Sequence, residues 1–254
     1  MRFQNKVAIV TAAANGIGKA TAKILAREGA QLVAVDINPD ALEKLTKEIE
    51  NEGGHINPFE TNVLEEDQVQ ELVDSVVGTF NKIDILVNAV GGSSIIQNSR
   101  ASVDNLSVSD WDKIVQFNLK GTFLCTSAVI SQMKKQGNGK IVNLSSTAGK
   151  RGSANTLAYN GANFAIVGMT QSMARELGPH SINVNAVCPG AVDTHRMDIL
   201  GRGDVWDNMA TNTPIGRNGT DDEVGDFCAY LCTEAASWIH GQSINQNGGT
   251  VMEH

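Results

Sequence analysis

Positive charge is in short supply in this chain. Lys and Arg number 20 against 28 Asp and Glu, a formal net charge of -8. No local run of basic residues offsets the deficit, so nucleic acid and anionic membrane surfaces are poor partners. Cysteine is also scarce. Cys125, Cys188, Cys228 and Cys232 are too few and too scattered for a disulfide framework. Cys228 and Cys232 are one helical turn apart, which fits core thiols better than metal ligands. The five histidines form no metal-spaced pair, and no metal is expected. No apolar run approaches the roughly 18 residues of a membrane span. The opening MRFQNKVAIV has no apolar stretch of signal length, so a cytoplasmic protein is expected. Tyrosine is the rarest aromatic: Tyr159 and Tyr230 are the only two.

What is present is a regular alternation. At 254 residues and 41% hydrophobic, the chain can bury one large core. Short β-branched runs at 7–11, 31–36, 55–60, 83–87, 140–144 and 182–187 alternate with segments of helical periodicity. Asn38 is placed to cap a helix whose first residue is Pro39. Thr220-Asp-Asp-Glu223 has the spacing of a capping box. A last short strand is expected at 243–246. Strand–helix alternation implies a parallel sheet with helices on both faces, and ligands in such sheets bind beyond the carboxyl ends of the strands. No repeat or linker interrupts the pattern, so 1–254 reads as a single domain.

The chemistry-bearing residues fall after the strands. Thr11-Ala-Ala-Ala-Asn-Gly16-Ile-Gly18 follows the first strand and opens a helix. Small residues let the backbone approach a pyrophosphate, and the helix N-terminus supplies free N–H groups. Asp36 ends the second strand, where a carboxylate accepts from ribose hydroxyls and repels a 2′-phosphate. No Lys or Arg adjoins it in Asp36-Ile37-Asn38, so NAD(H) is favoured over NADP(H). Further on, Ser145 and Ser146 end a β-branched run, and Tyr159 follows thirteen residues after Ser146. A hydroxyl near a phenol suits proton transfer to or from a substrate oxygen.

With these motifs the whole chain resembles the short-chain dehydrogenase/reductase family. The family's Thr-Gly-x-x-x-Gly-x-Gly turn maps onto Thr11–Gly18 with Ala12 for the first glycine. Its Asn-Asn-Ala-Gly maps onto Asn88-Ala89-Val90-Gly91, matching at the ends. Asn118-Leu-Lys-Gly-Thr-Phe123 carries the active-site Asn, and Ser146 and Tyr159 match the family Ser and Tyr. Pro189-Gly190, Thr194 and Gly241-Gln242…Asn247-Gly248-Gly249 complete the series. The resemblance implies an α/β fold, a Rossmann-like doubly wound parallel sheet of about seven strands, with a substrate-loop insertion at about 191–220. It implies catalytic roles for Asn118, Ser146, Tyr159 and position 163. For the cofactor it implies contacts from Thr11, Asn15, Gly16, Ile17, Gly18, Asp36, Ile37, Asn62, Val63, Asn88, Tyr159, Asn163, Pro189, Gly190, Val192 and Thr194. The implied activity is hydride transfer between NAD and a small-molecule secondary alcohol or ketone. The implied assembly is a homotetramer built on the helices in 108–135 and 157–177.

One departure touches the chemistry. The family places Lys four residues after Tyr, and here the residue is Asn163. A free phenol titrates near ~10, and a cation within ~4–6 Å would favour its ionised form. Asn supplies no such field. Three explanations stand open: a substitute cation from Lys150, Arg151, His195 or Arg196; operation as a reductase, where a protonated Tyr159 is the required acid; or a protein that binds NAD with little or no turnover. Substrate selection is expected from Gly92, Ser93 and Ser94, from Arg151 and Ser153, and from 193–217, where Trp206 and Met197 offer apolar cover.

Overall fold

The computed structural model describes residues 1–194 and 204–252. Seven strands form one parallel sheet: β1 (Val7–Thr11), β2 (Gln31–Asp36), β3 (His55–Glu60), β4 (Ile85–Asn88), β5 (Gly139–Leu144), β6 (Ile182–Pro189) and β9 (Ser243–Gln246). Their order is β3-β2-β1-β4-β5-β6-β9. The chain starts in the middle and winds outward one way, then returns past β1 to build the other half. The order reverses between β1 and β4, and beyond their carboxyl ends a crevice must open. β1 and β4 pair in register, with Val10 opposite Val87, so Thr11 and Asn88 arrive at the crevice floor together.

Helices cover both faces. On one side α1 (Gly16–Arg27), α2 (Pro39–Asn51) and α8 (Asp221–Leu231) bury Ile24, Leu25, Leu45, Ile49 and Cys228 against β1 and β2. On the other, α3 (Glu66–Phe80), α5 (Gly121–Gln136) and α6 (Leu157–Leu177) bury Val69, Leu72, Val129, Met133 and Leu177 against Ile9, Leu86, Ile141 and Val184. The expected caps form. Asn38 accepts from Ala41 N at 3.1 Å, and Thr220 and Glu223 close a reciprocal capping box. The cysteines are core thiols: burial pushes Cys125 and Cys228 up to about 12 and raises Cys232 as well. Among the described residues no group of His, Cys, Asp and Glu could hold a metal. No described helix is long and apolar enough to cross a membrane.

Two features depart from the sequence pattern. The helix expected over 108–135 is interrupted. After α4 (Val108–Val115) the segment Gln116–Lys120 widens into a π turn before α5 begins. The expected insertion at 191–220 contains a two-stranded parallel sheet of its own, β7 (Val192–Asp193) with β8 (Gly219–Thr220), and the helix α7 (Asp204–Asn212). His195, Arg196, Met197, Gly201 and Gly203 lie outside the described residues.

Candidate active site

A cleft of about 1960 Å³ runs across the carboxyl ends of the strands. That is ample for a dinucleotide together with a small substrate. At one end lies the turn after β1. Gly16 has φ +52, and a Cβ on Gly18 would stand 2.1 Å from the Ala12 carbonyl oxygen, so helix α1 starts there only because that position is glycine. Ala12, in the position of the family's first glycine, takes φ 49, a left-handed conformation that strains an L-residue. Asp36 braces this turn. Its carboxylate accepts from Ala14 N at 3.0 Å and from Asn38 N at 3.1 Å while lining the cleft. Asn15, Ile17, Ile37, Asn62 and Val63 line the same end. The Asn62 amide oxygen already accepts from Leu64 N at 3.1 Å.

Two expected cofactor contacts are not brought to the cleft surface. Thr11 is buried, with its hydroxyl accepting from Ala89 N at 2.9 Å, so it staples β1 to the loop after β4. Asn88 points into the sheet instead of the cleft. Its amide donates to Thr126 Oγ1 at 3.0 Å and to Asn143 Oδ1 at 2.9 Å. Asn143 in turn donates to Thr170 Oγ1 at 3.0 Å, a buried polar chain tying β4, β5, α5 and α6 beneath the site. Both residues act on the floor, and the motif's position in sequence did not reveal which way they face.

At the other end the π turn acquires a purpose. It delivers Asn118 to the loop after β4. The Asn118 amide oxygen accepts from Gly92 N at 2.8 Å, and its nitrogen donates to the Ile114 carbonyl at 2.9 Å and the Gly92 carbonyl at 3.2 Å. With these bonds made, Asn118 clamps the backbone beside the cleft; π turns recur at such functional positions.

Ser146 and Tyr159 line the cleft together with Asn118 and Asn163. Ser146 ends the strand segment and caps a one-turn 3-10 helix, Thr147–Gly149, by accepting from Ala148 N at 3.1 Å. Ser145, which also lines the cleft, donates to the main-chain carbonyl of Asn163 at 3.1 Å. Gly149 makes that approach possible, since a Cβ there would stand 2.6 Å from Ser145 Oγ and 2.7 Å from the same carbonyl. This strut joins the turn bearing Ser146 to the helix bearing Tyr159. Nothing in the sequence pattern singles out Ser145, because its partner is a backbone atom eighteen residues on.

Asn163 is buried at 3% exposure, and its amide nitrogen donates to the Tyr159 carbonyl at 2.9 Å. The side chain therefore folds back on its own helix. Of the substitute cations, Arg151 lines the cleft and donates to the Thr250 carbonyl at 3.4 Å, whereas Lys150 does not line it. His195 and Arg196 lie outside the described residues. Pro189, Gly190, Val192 and Thr194 complete the wall after β6. Gly190 is packed against Asn247, where a Cβ would come within 2.9 Å, and Gly248 accommodates Thr213 and Ile215. The C-terminal glycines thus seat the segment that closes the cleft. Trp206, on α7, donates its indole N–H to Asp193 at 2.5 Å and also lines the cleft.

Comparison with known proteins agrees with this geometry. A family model described as enoyl-(acyl carrier protein) reductase matches residues 11–251. A 3-oxoacyl-[acyl-carrier-protein] reductase of Thermotoga maritima is 38% identical over 252 residues, covering 99% of this chain and 100% of that protein. An uncharacterized oxidoreductase of Mycobacterium tuberculosis is 39% identical over 253 residues, covering 98% and 99%. Among solved structures, a 7α-hydroxysteroid dehydrogenase complexed with NADH and 7-oxo glycochenodeoxycholic acid superposes with a TM-score of 0.92 at 31% identity, covering 99% of this chain and 96% of that one. Sheet order, crevice and full-length similarity agree, and the chain belongs to the short-chain dehydrogenase/reductase family of oxidoreductases.

Proposed function

We propose that the protein is an NAD(H)-dependent oxidoreductase interconverting a ketone and its secondary alcohol, with carbonyl reduction the favoured direction. The observation that carries this is the placement of Ser146 and Tyr159 on the same cleft as the glycine turn and Asp36. Bound NAD(H) supplies or accepts the hydride. The Ser146 hydroxyl already accepts from Ala148 N, which leaves its proton to donate to the substrate oxygen. Tyr159 gives that oxygen its proton in reduction or removes it in oxidation. Asn163, with one amide N–H committed to the Tyr159 carbonyl, offers its oxygen and its second N–H to a ribose hydroxyl, and no positive charge. Reduction uses the protonated phenol, and a neutral Asn163 adds nothing that favours the phenolate. The paired Asp36 carboxylate disfavours a 2′-phosphate, which supports NAD(H) over NADP(H).

Fluorescence titration with NADH and NADPH, followed by absorbance assays on secondary alcohols and ketones across pH, tests the proposal. Tighter NADH binding and ketone reduction at neutral pH are expected. Failure to bind either nucleotide would overturn it. Binding of NADH without turnover on any substrate would favour the second reading, a dinucleotide-binding protein of the same fold, which the inward-folded Asn163 also supports.

We further propose that a homotetramer forms through α4, α5 and α6. Phe164 on α6 is 47% exposed and Phe123 on α5 is 55% exposed. Gly168, on the same helix as Phe164, faces open space. An apolar helix face of this kind suits a second copy of the chain. Sedimentation equilibrium checks the state.

A further inference from the structure

The cleft carries charge of different sign at its two ends. At the α1–α2 end its lining includes Asp36, Asp40 and Glu48, with Lys19 held by Glu48 at 2.8 Å and Lys44 alongside. Where Ser146 and Tyr159 stand, the charged cleft-lining residues on the connections after β4 and β5 are both arginines, while the acid Asp221 lines the cleft from the start of α8. Arg100 follows β4 and Arg151 follows β5. In a chain of net charge -8, two exposed arginines lining one cleft call for a reason.

Both arginines are mounted on pinned backbone. Arg151 N donates to the Thr147 carbonyl at 3.1 Å, and its own carbonyl accepts from Asn160 Nδ2 at 2.8 Å. The residue is thus tied to the turn that bears Ser146 and to the helix that bears Tyr159. Arg100 follows Ser99, a buried residue whose hydroxyl accepts from Ile95 N and Ile96 N at 3.0 Å each, closing the loop just before it. Neither guanidinium is ion-paired among the described residues. Arg151 spends one N–H on the Thr250 carbonyl and keeps four of the five donors of its fork. A guanidinium with a free fork on a concave wall is the group that binds a carboxylate through two parallel hydrogen bonds.

We propose that the substrate carries a carboxylate set apart from its reacting carbonyl, and that Arg151, assisted by Arg100, binds that carboxylate. The inference rests on the ketone reductase reading above and adds the substrate class. Arg151 is the specificity residue. Its backbone ties to the turn bearing Ser146 and the helix bearing Tyr159 set how far the anionic end lies from the carbonyl.

The test uses three matched pairs of keto acid and methyl ester: 4-oxopentanoate, 5-oxohexanoate and 4-oxocyclohexanecarboxylate, each with its ester. With NADH saturating, kcat/KM for the acid should exceed that for its ester by about 10- to 100-fold in at least one pair, as a hydrogen-bonded charge contact provides. The difference should lie in KM, shrink with added salt, and collapse in Arg151→Ala. Arg151→Lys should restore part of it, and Arg100→Ala should reduce it by a smaller factor. NADH affinity should be the same in all three variants. Equal kcat/KM for acid and ester in every pair, or a preference that survives both alanine substitutions, would overturn the proposal. If nothing is turned over, the same compounds are titrated into the protein–NADH complex by fluorescence, and equal or absent binding of acids and esters counts against it. Absence of NADH binding would instead strike the parent reading, so the two failures are distinguishable.

Discussion

The two ends of the cleft are built to different standards. The dinucleotide end holds a strained residue, Ala12 at φ 49, yet its parts are complete: a glycine that admits the carbonyl of residue 12, a helix N-terminus, and an acid braced by two backbone N–H groups. The end that bears Ser146 and Tyr159 is tightly braced, with Ser145 strutted to α6 and Asn118 clamping Gly92, but its residue 163 is an uncharged Asn. One end departs from its family in shape and the other in charge. A shape defect costs conformational free energy and is felt in stability and affinity. A missing charge is felt in rate and in pH dependence. Substitutions at the two ends should therefore fall into separate observables.

The largest effect is expected from Tyr159→Phe, which removes the proposed proton donor. Turnover in either direction should drop by about 10²–10⁴, the span of general acid–base catalysis, while NADH affinity stays within about threefold. Comparable losses in both quantities would mean that the ends are not separable. Gly18→Ala attacks the other end. A Cβ 2.1 Å from a carbonyl must displace backbone, and an overpacking cost of about 1–3 kcal/mol, if borne by the bound state, translates to roughly 5- to 150-fold weaker NADH binding, read by titration. Rate at saturating NADH should be largely recovered. Asn163→Lys supplies the missing charge. Alcohol oxidation should rise by about tenfold, within the acid–base span, and set in at lower pH, with the gain smaller for ketone reduction. No change in the pH profile would show that the site does not depend on this position.

Smaller shifts sharpen the same contrast. Ala12→Gly should relieve the left-handed strain and raise the unfolding free energy by about 1 kcal/mol, read as a higher denaturation midpoint with an unchanged denaturant slope. The smallest effect concerns the segment that seats the cleft wall. The Arg217 guanidinium, together with the Thr220 N–H, holds the Glu223 carboxyl down to about 2. Because the folded value lies below the ordinary 4.5, the stabilisation is fully present above about pH 4.5 and disappears as pH falls through about 2. The pair is solvent-exposed, so Glu223→Gln should produce only a slight loss of melting temperature at neutral pH, and none near pH 2.

The strands, the glycine turn and the Ser146–Tyr159 spacing are legible in sequence because each is a local pattern: a β-branched run, a small-residue turn, a fixed separation. Other features needed direction or distance. Thr11 and Asn88 belong to the right motifs, but which face of a buried strand end they occupy is settled by partners such as Ala89 N and Asn143, set by tertiary packing. The π turn at Gln116–Lys120 adds one residue to a helix turn without breaking its polar and apolar pattern, so the periodicity runs through it unmarked. Arg100 carries no motif, and only the fold brings it to the same cleft as Arg151.

The strut from Ser145 ends on the main-chain oxygen of residue 163, not on its side chain. Every amino acid offers that oxygen. The helix can therefore exchange the side chain at 163, and with it the electrostatics around Tyr159, without releasing the turn that carries Ser146. Geometry and charge are specified by different atoms of one residue, so a lineage can change the charge at this position while the tie between the turn bearing Ser146 and the helix bearing Tyr159 is inherited intact.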